Sequence, residues 1–286
     1  MKGKTIFITG ATSGIGFEAA KVLAGKGARI VFTSRAEARG QRTLEALKKA
    51  GGHDRIHMIE ANLASLASVK AAARQFLAEY EHLDVLVNNA GLWENKRTES
   101  QDGIEMNLAV NHLAPFLLTL LLLGRLQEGE GGRIVSVSSD AHRSAHFNFK
   151  DPELKQRYIG FVAYAQSKLA NVLFTRKLTQ MMDSRLVVAN CLHPGVVSTS
   201  LFDKVTPLLT KIFGMFMLTP EQGAQTTIYL ASHPEAAQYS GRYFVKQKVK
   251  APSKAAQNDE AAQKLWDLSL EYVKDFLPVE NFQEVG

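Results

Sequence analysis

The chain has 286 residues, of which 45% are hydrophobic and 22% charged, and it carries a formal net charge of +6. That length can bury a substantial core, and the absence of a Pro/Gly/Ser linker, a low-complexity run or a solenoid-period repeat predicts one domain over residues 1–286. The basic residues are scattered along helical segments, so the charge reads as solvated faces and argues against nucleic-acid binding.

The first strand is predicted at Lys4–Thr9, close to Met1, which leaves no room for a signal peptide or anchor and predicts a cytoplasmic protein. It runs into Thr9-Gly10-Ala11-Thr12-Ser13-Gly14-Ile15-Gly16 and a helix over Phe17–Lys26. In such a strand-turn-helix, glycines let backbone approach a phosphate while the helix N-terminus offers unpaired N–H groups. Gly10, Thr12, Ser13, Gly14, Ile15 and Gly16 are therefore candidates to cradle a dinucleotide, although the spacing departs from the commoner G-x-G-x-x-G. The next strand, Arg29–Ser34, ends in Ser34-Arg35, with Arg39 a helical turn on. Many NAD-binding folds place a carboxylate there for the ribose. A carboxylate would repel a 2′-phosphate, whereas a guanidinium pairs with it through two hydrogen bonds, so Ser34, Arg35 and Arg39 point to NADP(H).

Helix Glu37–Ala50, strand Arg55–Glu60, helix Ser65–Tyr80 and strand Asp84–Val87 continue an alternation that means parallel strands with crossover helices. Asn62-Leu63 follows the third strand, where the amide could meet an adenine edge. Asn88-Asn89-Ala90-Gly91 closes the fourth with small residues suited to close backbone approach, though either asparagine could equally satisfy its own turn. One long helix is predicted over Gly103–Leu126, carrying Asn107, Asn111 and His112. A buried asparagine is costly unless paired, which makes Asn111 a candidate for a positioned polar role; His112 reads as packing or surface. The leucine run Phe116–Leu123 is shorter than the ~20 residues of a membrane span and reads as buried or subunit-facing.

Strand Arg133–Ser139 ends in Ser138-Ser139, at the end of a parallel strand where ligands sit. Asp140–Ile159 reads as irregular; it holds His142, Arg143 and His146 without an acid or cysteine spaced to complete a site, so no metal is predicted. Helix Gly160–Met182 carries Tyr164 and Lys168 four residues apart on one face. A cation near the phenol favours phenolate and lowers a pKa that is otherwise about 10. Strand Leu186–Leu192 contains Cys191, the single cysteine, which rules out a disulfide within the chain. The rigid turn His193-Pro194-Gly195-Val196-Val197-Ser198-Thr199 then offers Pro194, Gly195, Val197 and Thr199 to a cofactor amide. Leu201–Leu218 is apolar and methionine-rich, open to four readings: a lid over a bulky apolar substrate (about 200–219), a core helix, a subunit contact, or a peripheral membrane helix with Lys204 and Lys211 at the headgroups. A last helix is expected at about 256–276.

These pieces together resemble the short-chain dehydrogenase/reductase family over nearly the whole chain. Thr9-Gly10-x-x-x-Gly14-x-Gly16, Asn88-Asn89-Ala90-Gly91, Asn111, Ser139, Tyr164-x-x-x-Lys168 and Pro194-Gly195 occur in the family's order. The retinol dehydrogenase-like branch is resembled by Val110-Asn111-His112-Leu113, by the stretch from Tyr164 to Arg176, and by Lys248-Val249-Lys250-Ala251-Pro252 ahead of Leu265-Trp266. The resemblance implies a single-domain, doubly wound α/β Rossmann fold with a mostly parallel sheet flanked by helices, and an NADP(H)-dependent oxidoreductase acting on a lipophilic carbonyl or alcohol, such as a retinal-like aldehyde or a ketone. It implies Tyr164 as general acid or base, and Lys168 as the group that lowers its pKa and binds the nicotinamide ribose. Ser139 is implied as donor to the substrate oxygen, and Asn111 as holder of a water linked to Lys168. Asn62 departs from the family's usual aspartate, and the amino-terminal membrane segment of animal retinol dehydrogenases is absent from the chain. Other readings are an NADP(H)-binding sensor or scaffold without catalysis, and a steroid- or sugar-directed reductase; two apolar helices offer a homodimer face.

Overall fold

Thr5-Ile6-Phe7-Ile8 is β-branched or aromatic throughout and buried at every position, as a strand covered on both faces requires. This strand, β1, is followed by helix α1 (Gly14–Gly25), β2 (Arg29–Ser34), α2 (Glu37–Gly51), β3 (Ile56–Glu60), α3 (Leu66–Glu79) and β4 (Val85–Asn88). The chain continues through helix α4 (Met106–Gln127), β5 (Gly132–Val137), α5 (Gly160–Met181), β6 (Val187–His193), α6 (Pro220–Ser232), β7 (Tyr243–Val245), β8 (Lys248–Lys250) and α7 (Asp259–Val273). The structure, a computed structural model, describes residues 1–197 and 217–278. Thr199 and nearly all of the apolar stretch at 201–218 lie outside the described residues.

The strands form one sheet in the order β3-β2-β1-β4-β5-β6-β7-β8, parallel up to β7, with β8 antiparallel at the edge. Successive side chains of β1 serve opposite faces. Phe7 packs with Leu86, Ile134, Phe76, Phe116 and Trp266 under α3, α4 and α7. Ile6 and Ile8 pack with Val87, Val135, Leu23, Leu47 and Leu230 under α1, α2 and α6. The result is the doubly wound arrangement expected. Its strand order reverses between β1's neighbours β2 and β4, and ligands of open α/β sheets bind at such a reversal.

Most expected element boundaries hold within a residue or two. Helix α4 differs. It starts at Met106, capped by Glu105, whose carboxylate accepts from the backbone N–H groups of Asn107 at 2.9 Å and Leu108 at 2.7 Å. Its residues Ala109–Leu113 form a π turn that carries Asn111 and His112. The 22 residues of Met106–Gln127 are long and apolar enough to cross a bilayer, with mean hydropathy 1.7, but 83% of their 18-residue apolar stretch is buried inside the protein. Phe116, Leu117, Leu118, Leu120 and Leu122 belong to the core, which decides for the buried reading of the leucine run. Asp140–Ser144, expected to be irregular, is a short 3₁₀ turn.

Candidate active site

The turn after β1 is pressed against the end of β4. Gly10 has φ +69°, and a Cβ on it would lie 2.8 Å from Ala90 Cα; one on Gly16 would lie 2.3 Å from both the Gly10 carbonyl oxygen and Asn89 Nδ2. Only glycine fits either place. Thr9 Oγ1 accepts from the backbone N–H groups of Asn89 and Ala90, both at 3.1 Å. Asn89 Nδ2 donates to the carbonyls of Thr9 at 2.9 Å and Gly10 at 3.1 Å. Asn89, expected as a cofactor contact, thus spends its amide N–H groups bracing the glycine turn. Helix α1 has no acidic residue in its first turn, and Ser13 makes no side-chain capping bond, so the helix start suits an anion. The Ile15 side chain is partly buried against Ala19, Ala224 and Ile228.

Beyond β2, the Ser34 hydroxyl is turned to its own chain, donating to the Ala36 carbonyl at 2.9 Å and accepting from Ala36 N–H at 3.4 Å. A cofactor contact of the kind expected of Ser34 would compete with these local bonds. Arg35 and Arg39 are exposed, and neither guanidinium has an ion-pair partner among the described residues. Asn62 Oδ1 accepts from Ala64 N–H at 3.1 Å, so the oxygen expected at adenine closes a local turn. Leu63 packs against the core.

Asn111, Ser139, Tyr164 and Lys168 are brought together at the carboxyl ends of β4 and β5. A Cβ on Gly91 would stand 3.0 Å from Lys168 Nζ and 3.3 Å from Asn111 Oδ1, which locates all three at one point. Asn111 is fully buried; it accepts from Leu92 N–H at 2.8 Å and donates to the Leu92 carbonyl and to Ser167 Oγ, both at 2.9 Å. Its first task is therefore to clamp residue 92. Lys168 is buried, and its Nζ donates to the Val137 carbonyl at 3.2 Å. Ser138, beside the serine the sequence singles out, donates to the Lys168 carbonyl at 2.7 Å and ties α5 to β5.

Electrostatics depart from the sequence expectation. Burial pushes the Tyr164 phenol up to about 12, opposed by the Ser139 hydroxyl beside it, which draws the value down. Burial also brings Lys168 down to about 8. The ammonium stands 5.7 Å from the centre of the Tyr164 ring and is turned to a carbonyl, so with the site as it stands desolvation outweighs the expected depression of the phenol by Lys168. Ser139 Oγ accepts from Ala141 N–H at 3.2 Å, which leaves its proton for a partner on the open side.

The turn after β6 has Gly195 at φ +96°, where a Cβ would meet Leu218 at 2.4 Å. Val197 is buried against α6, close to Gly223, so its side chain is structural. Three further residues lie against the candidate catalytic groups. Trp93 stacks on Tyr164, and its indole touches Phe161 at 5.7 Å between centroids. His142 and His193 sit behind Ser139, where His193 Nδ1 accepts from Asp140 N–H at 3.2 Å. No spacing rule points to any of the three. Among the described residues, no group of three or more His, Cys, Asp or Glu could hold a metal.

A glycine cradle facing a helix start, with a lysine, a tyrosine and a serine at the next strand ends, is matched by known proteins. Residues 4–208 match the family model described as short chain dehydrogenase. The chain belongs to the short-chain dehydrogenases. It is thus an oxidoreductase of a family that binds a nicotinamide cofactor and acts on small carbonyl or alcohol substrates. Retinol dehydrogenase 14 of Mus musculus is 41% identical over 94% of this chain and 85% of that protein. Retinol dehydrogenase 12 of Homo sapiens is 38% identical over 95% and 86%, so the retinol dehydrogenase-like resemblance holds. Among solved structures, an uncharacterized protein from Mycobacterium paratuberculosis is similar with TM-score 0.77 at 30% identity, covering 96% of this chain and 94% of that one. A blue fluorescent protein from a metagenomic library, solved with NADPH, has TM-score 0.69 at 27% identity, covering 85% and 96%.

Proposed function

We propose that this short-chain dehydrogenase is an NADP(H)-dependent oxidoreductase for lipophilic aldehydes, ketones or the matching alcohols, retinal and retinol among them. The observation that carries the reading is the convergence of the Ser139 hydroxyl and the Tyr164 phenol, with Lys168 Nζ behind Gly91. The nicotinamide supplies or accepts hydride when bound. Ser139 donates to the carbonyl oxygen as negative charge grows there, and Tyr164 delivers the proton. Lys168, with no carboxylate paired to it among the described residues, is suited to the ribose hydroxyls and to favouring phenolate when its charge turns toward Tyr164. Asn111 holds Leu92 in place, and Gly10, Gly14, Gly16 and the start of α1 suit the pyrophosphate.

Preference for the 2′-phosphate rests on Arg35 and Arg39, exposed at the end of β2 with no carboxylate at the position after Ser34. The lipophilic substrate class rests on Trp93 over Tyr164 and on Phe161 and Val162, which remain 43% and 40% exposed at the start of α5. The two retinol dehydrogenases named above support the same class. Consumption of NADPH, with NADH in parallel, against a panel of aldehydes and ketones that includes all-trans-retinal tests the reading. Turnover of bulky apolar carbonyls with NADPH is expected; tight NADPH binding without turnover of any carbonyl would replace it with the sensor reading.

A further inference from the structure

His142 is fully buried one turn beyond Ser139, and the chemistry proposed above does not use it. Its Nδ1 lies 2.7 Å from the Ser139 carbonyl oxygen, which can only accept. Its Nε2 lies 3.1 Å from the backbone nitrogen of Ser253, which can only donate. One protonation state satisfies both: the neutral imidazole with its hydrogen on Nδ1. A second proton, on Nε2, would face the Ser253 N–H head to head and break that link. The Ser139 carbonyl also accepts from the His142 backbone N–H at 3.1 Å, so residue 139 is held twice from behind while its Oγ caps Ala141.

Charged and titratable groups surround the ring. Asp140 and Arg143 share its turn, His193 ends β6 and Tyr243 lies on β7, edge-on to the imidazole at 4.8 Å. Asp140 accepts from the Tyr243 hydroxyl and from Arg143 Nε, both at 3.0 Å, and stands 3.6 Å from His193 Nε2. Burial, joined by Arg143, holds His142 below its ordinary value, while its bond to Ser139 and the Asp140 charge act the other way.

We propose that His142 is a positioning residue for Ser139: as the neutral Nδ1–H imidazole it ties the serine's carbonyl to the backbone of Ser253, fixing the hydroxyl beside Tyr164 and coupling the site to the segment that leads into α7. The inference rests on Ser139 acting on the substrate, as proposed above. The test compares wild type, His142→Ala, His142→Asn and Ser139→Ala with NADPH and a carbonyl that wild type reduces. His142→Ala is expected to lower kcat about tenfold, the size of one lost hydrogen bond, with KM and NADPH affinity little changed. His142→Asn, whose amide N–H takes the place of Nδ1, should recover most of that loss.

The pH profile separates positioning from mere support of the fold. Wild-type kcat should fall on the acid side, below the ordinary histidine range, as His142 takes its second proton. His142→Asn should lack that limb and His193→Asn should keep it. An unchanged kcat in His142→Ala, no recovery in His142→Asn, or an acid limb that survives in His142→Asn would each overturn the inference. If His142→Ala fails to fold, the Asn variant and its pH profile decide alone. Ser139→Ala at the wild-type rate would sink the reading of Ser139 and this inference with it. An inactive Ser139→Ala beside a fully active His142→Ala would sink only the inference.

Discussion

The indole of Trp93 lies flat on the phenol of Tyr164, with ring centroids 5.0 Å apart and planes 10° apart. The contact is held by the backbone on either side of the tryptophan. Asn111 grips both the N–H and the carbonyl of Leu92. Glu94 N–H donates to Asn107 Oδ1 at 3.3 Å and the Glu94 carbonyl accepts from the Tyr158 hydroxyl at 2.8 Å. Gly160 comes so near that a Cβ there would lie 2.6 Å from the same carbonyl. If this indole forms a wall for a flat apolar substrate, Trp93→Ala should raise KM about three- to tenfold for retinal-sized carbonyls, the worth of one aromatic contact. Short aliphatic aldehydes should be unaffected. Steady-state kinetics on the two substrate classes give the comparison, and an equal effect on both would remove Trp93 from substrate selection.

Tyr164→Phe keeps the stacking partner of Trp93 and removes only the hydroxyl. Turnover should drop on the order of a hundredfold or more, with NADPH affinity unchanged. Single-turnover rates and a binding titration make the check, and wild-type rates in the variant would end the proton-donor assignment.

Lys168 gives a prediction about stability. Its folded-state pKa, about 8, lies below the 10.5 of an unperturbed lysine, so burial of the ammonium costs stability. The cost is complete below pH 8, where folded and unfolded chains both carry the proton. It shrinks from pH 8 to 10.5, where the unfolded chain binds more protons than the folded one, and is gone above that. A shift of this size corresponds to about 3 kcal/mol. Lys168→Met should therefore melt higher than wild type at pH 7 without cofactor, by up to that amount, and lose the advantage as pH approaches 10.5, while catalysis collapses. Thermal melts of both proteins across pH supply the test; a variant that melts lower at pH 7 would show that the bond to Val137 outweighs the desolvation.

Arg35→Ala should weaken NADPH binding about 10- to 100-fold, as expected for a lost charge-assisted pair, and leave NADH nearly untouched. Titrating both cofactors into both proteins reads the ratio. Parallel losses would mean that Arg35 does not recognise the 2′-phosphate.

Gly16→Ala places a methyl group 2.3 Å from the Gly10 carbonyl oxygen and Asn89 Nδ2, so the glycine turn must open. A loss of about 1–3 kcal/mol in stability is expected, the usual cost of overpacking. NADPH affinity should fall with it. Melting and binding measured together make the check, and a variant with normal melting and normal affinity would show that the turn is softer than its packing indicates.

The strands, crossover helices and glycine turn are legible in the sequence because their signals are local: apolar runs, helical spacing and glycines placed at the strand end. Tyr164 and Lys168 are legible for the same reason, four residues apart on one helix. Other features depend on segments that meet only in the fold. Nothing in Ala109-Val110-Asn111-His112-Leu113 marks a π turn, because all five residues are buried and the phase shift of one extra residue leaves no trace in the apolar pattern. His142 acquires its partner from Ser253 and Trp93 its neighbour from α5, both remote in sequence. Ser34 and Asn62 sit where a ligand-facing residue was expected, yet each bonds its own backbone, a competition that spacing does not reveal. Strands β7 and β8, three residues each, are too short for a period-two pattern to register.

That last strand closes the sheet with Lys248-Val249-Lys250, all exposed, after a two-residue reversal in which Lys246 and Gln247 both take positive φ. Its outer side pairs with no further strand among the described residues and is the kind of template on which foreign strands nucleate fibrils. The two ammonium groups stand on one side of that strand, and a second copy arriving edge to edge would bring the same charges against them. Charges placed in this way oppose growth of the sheet from its β8 edge.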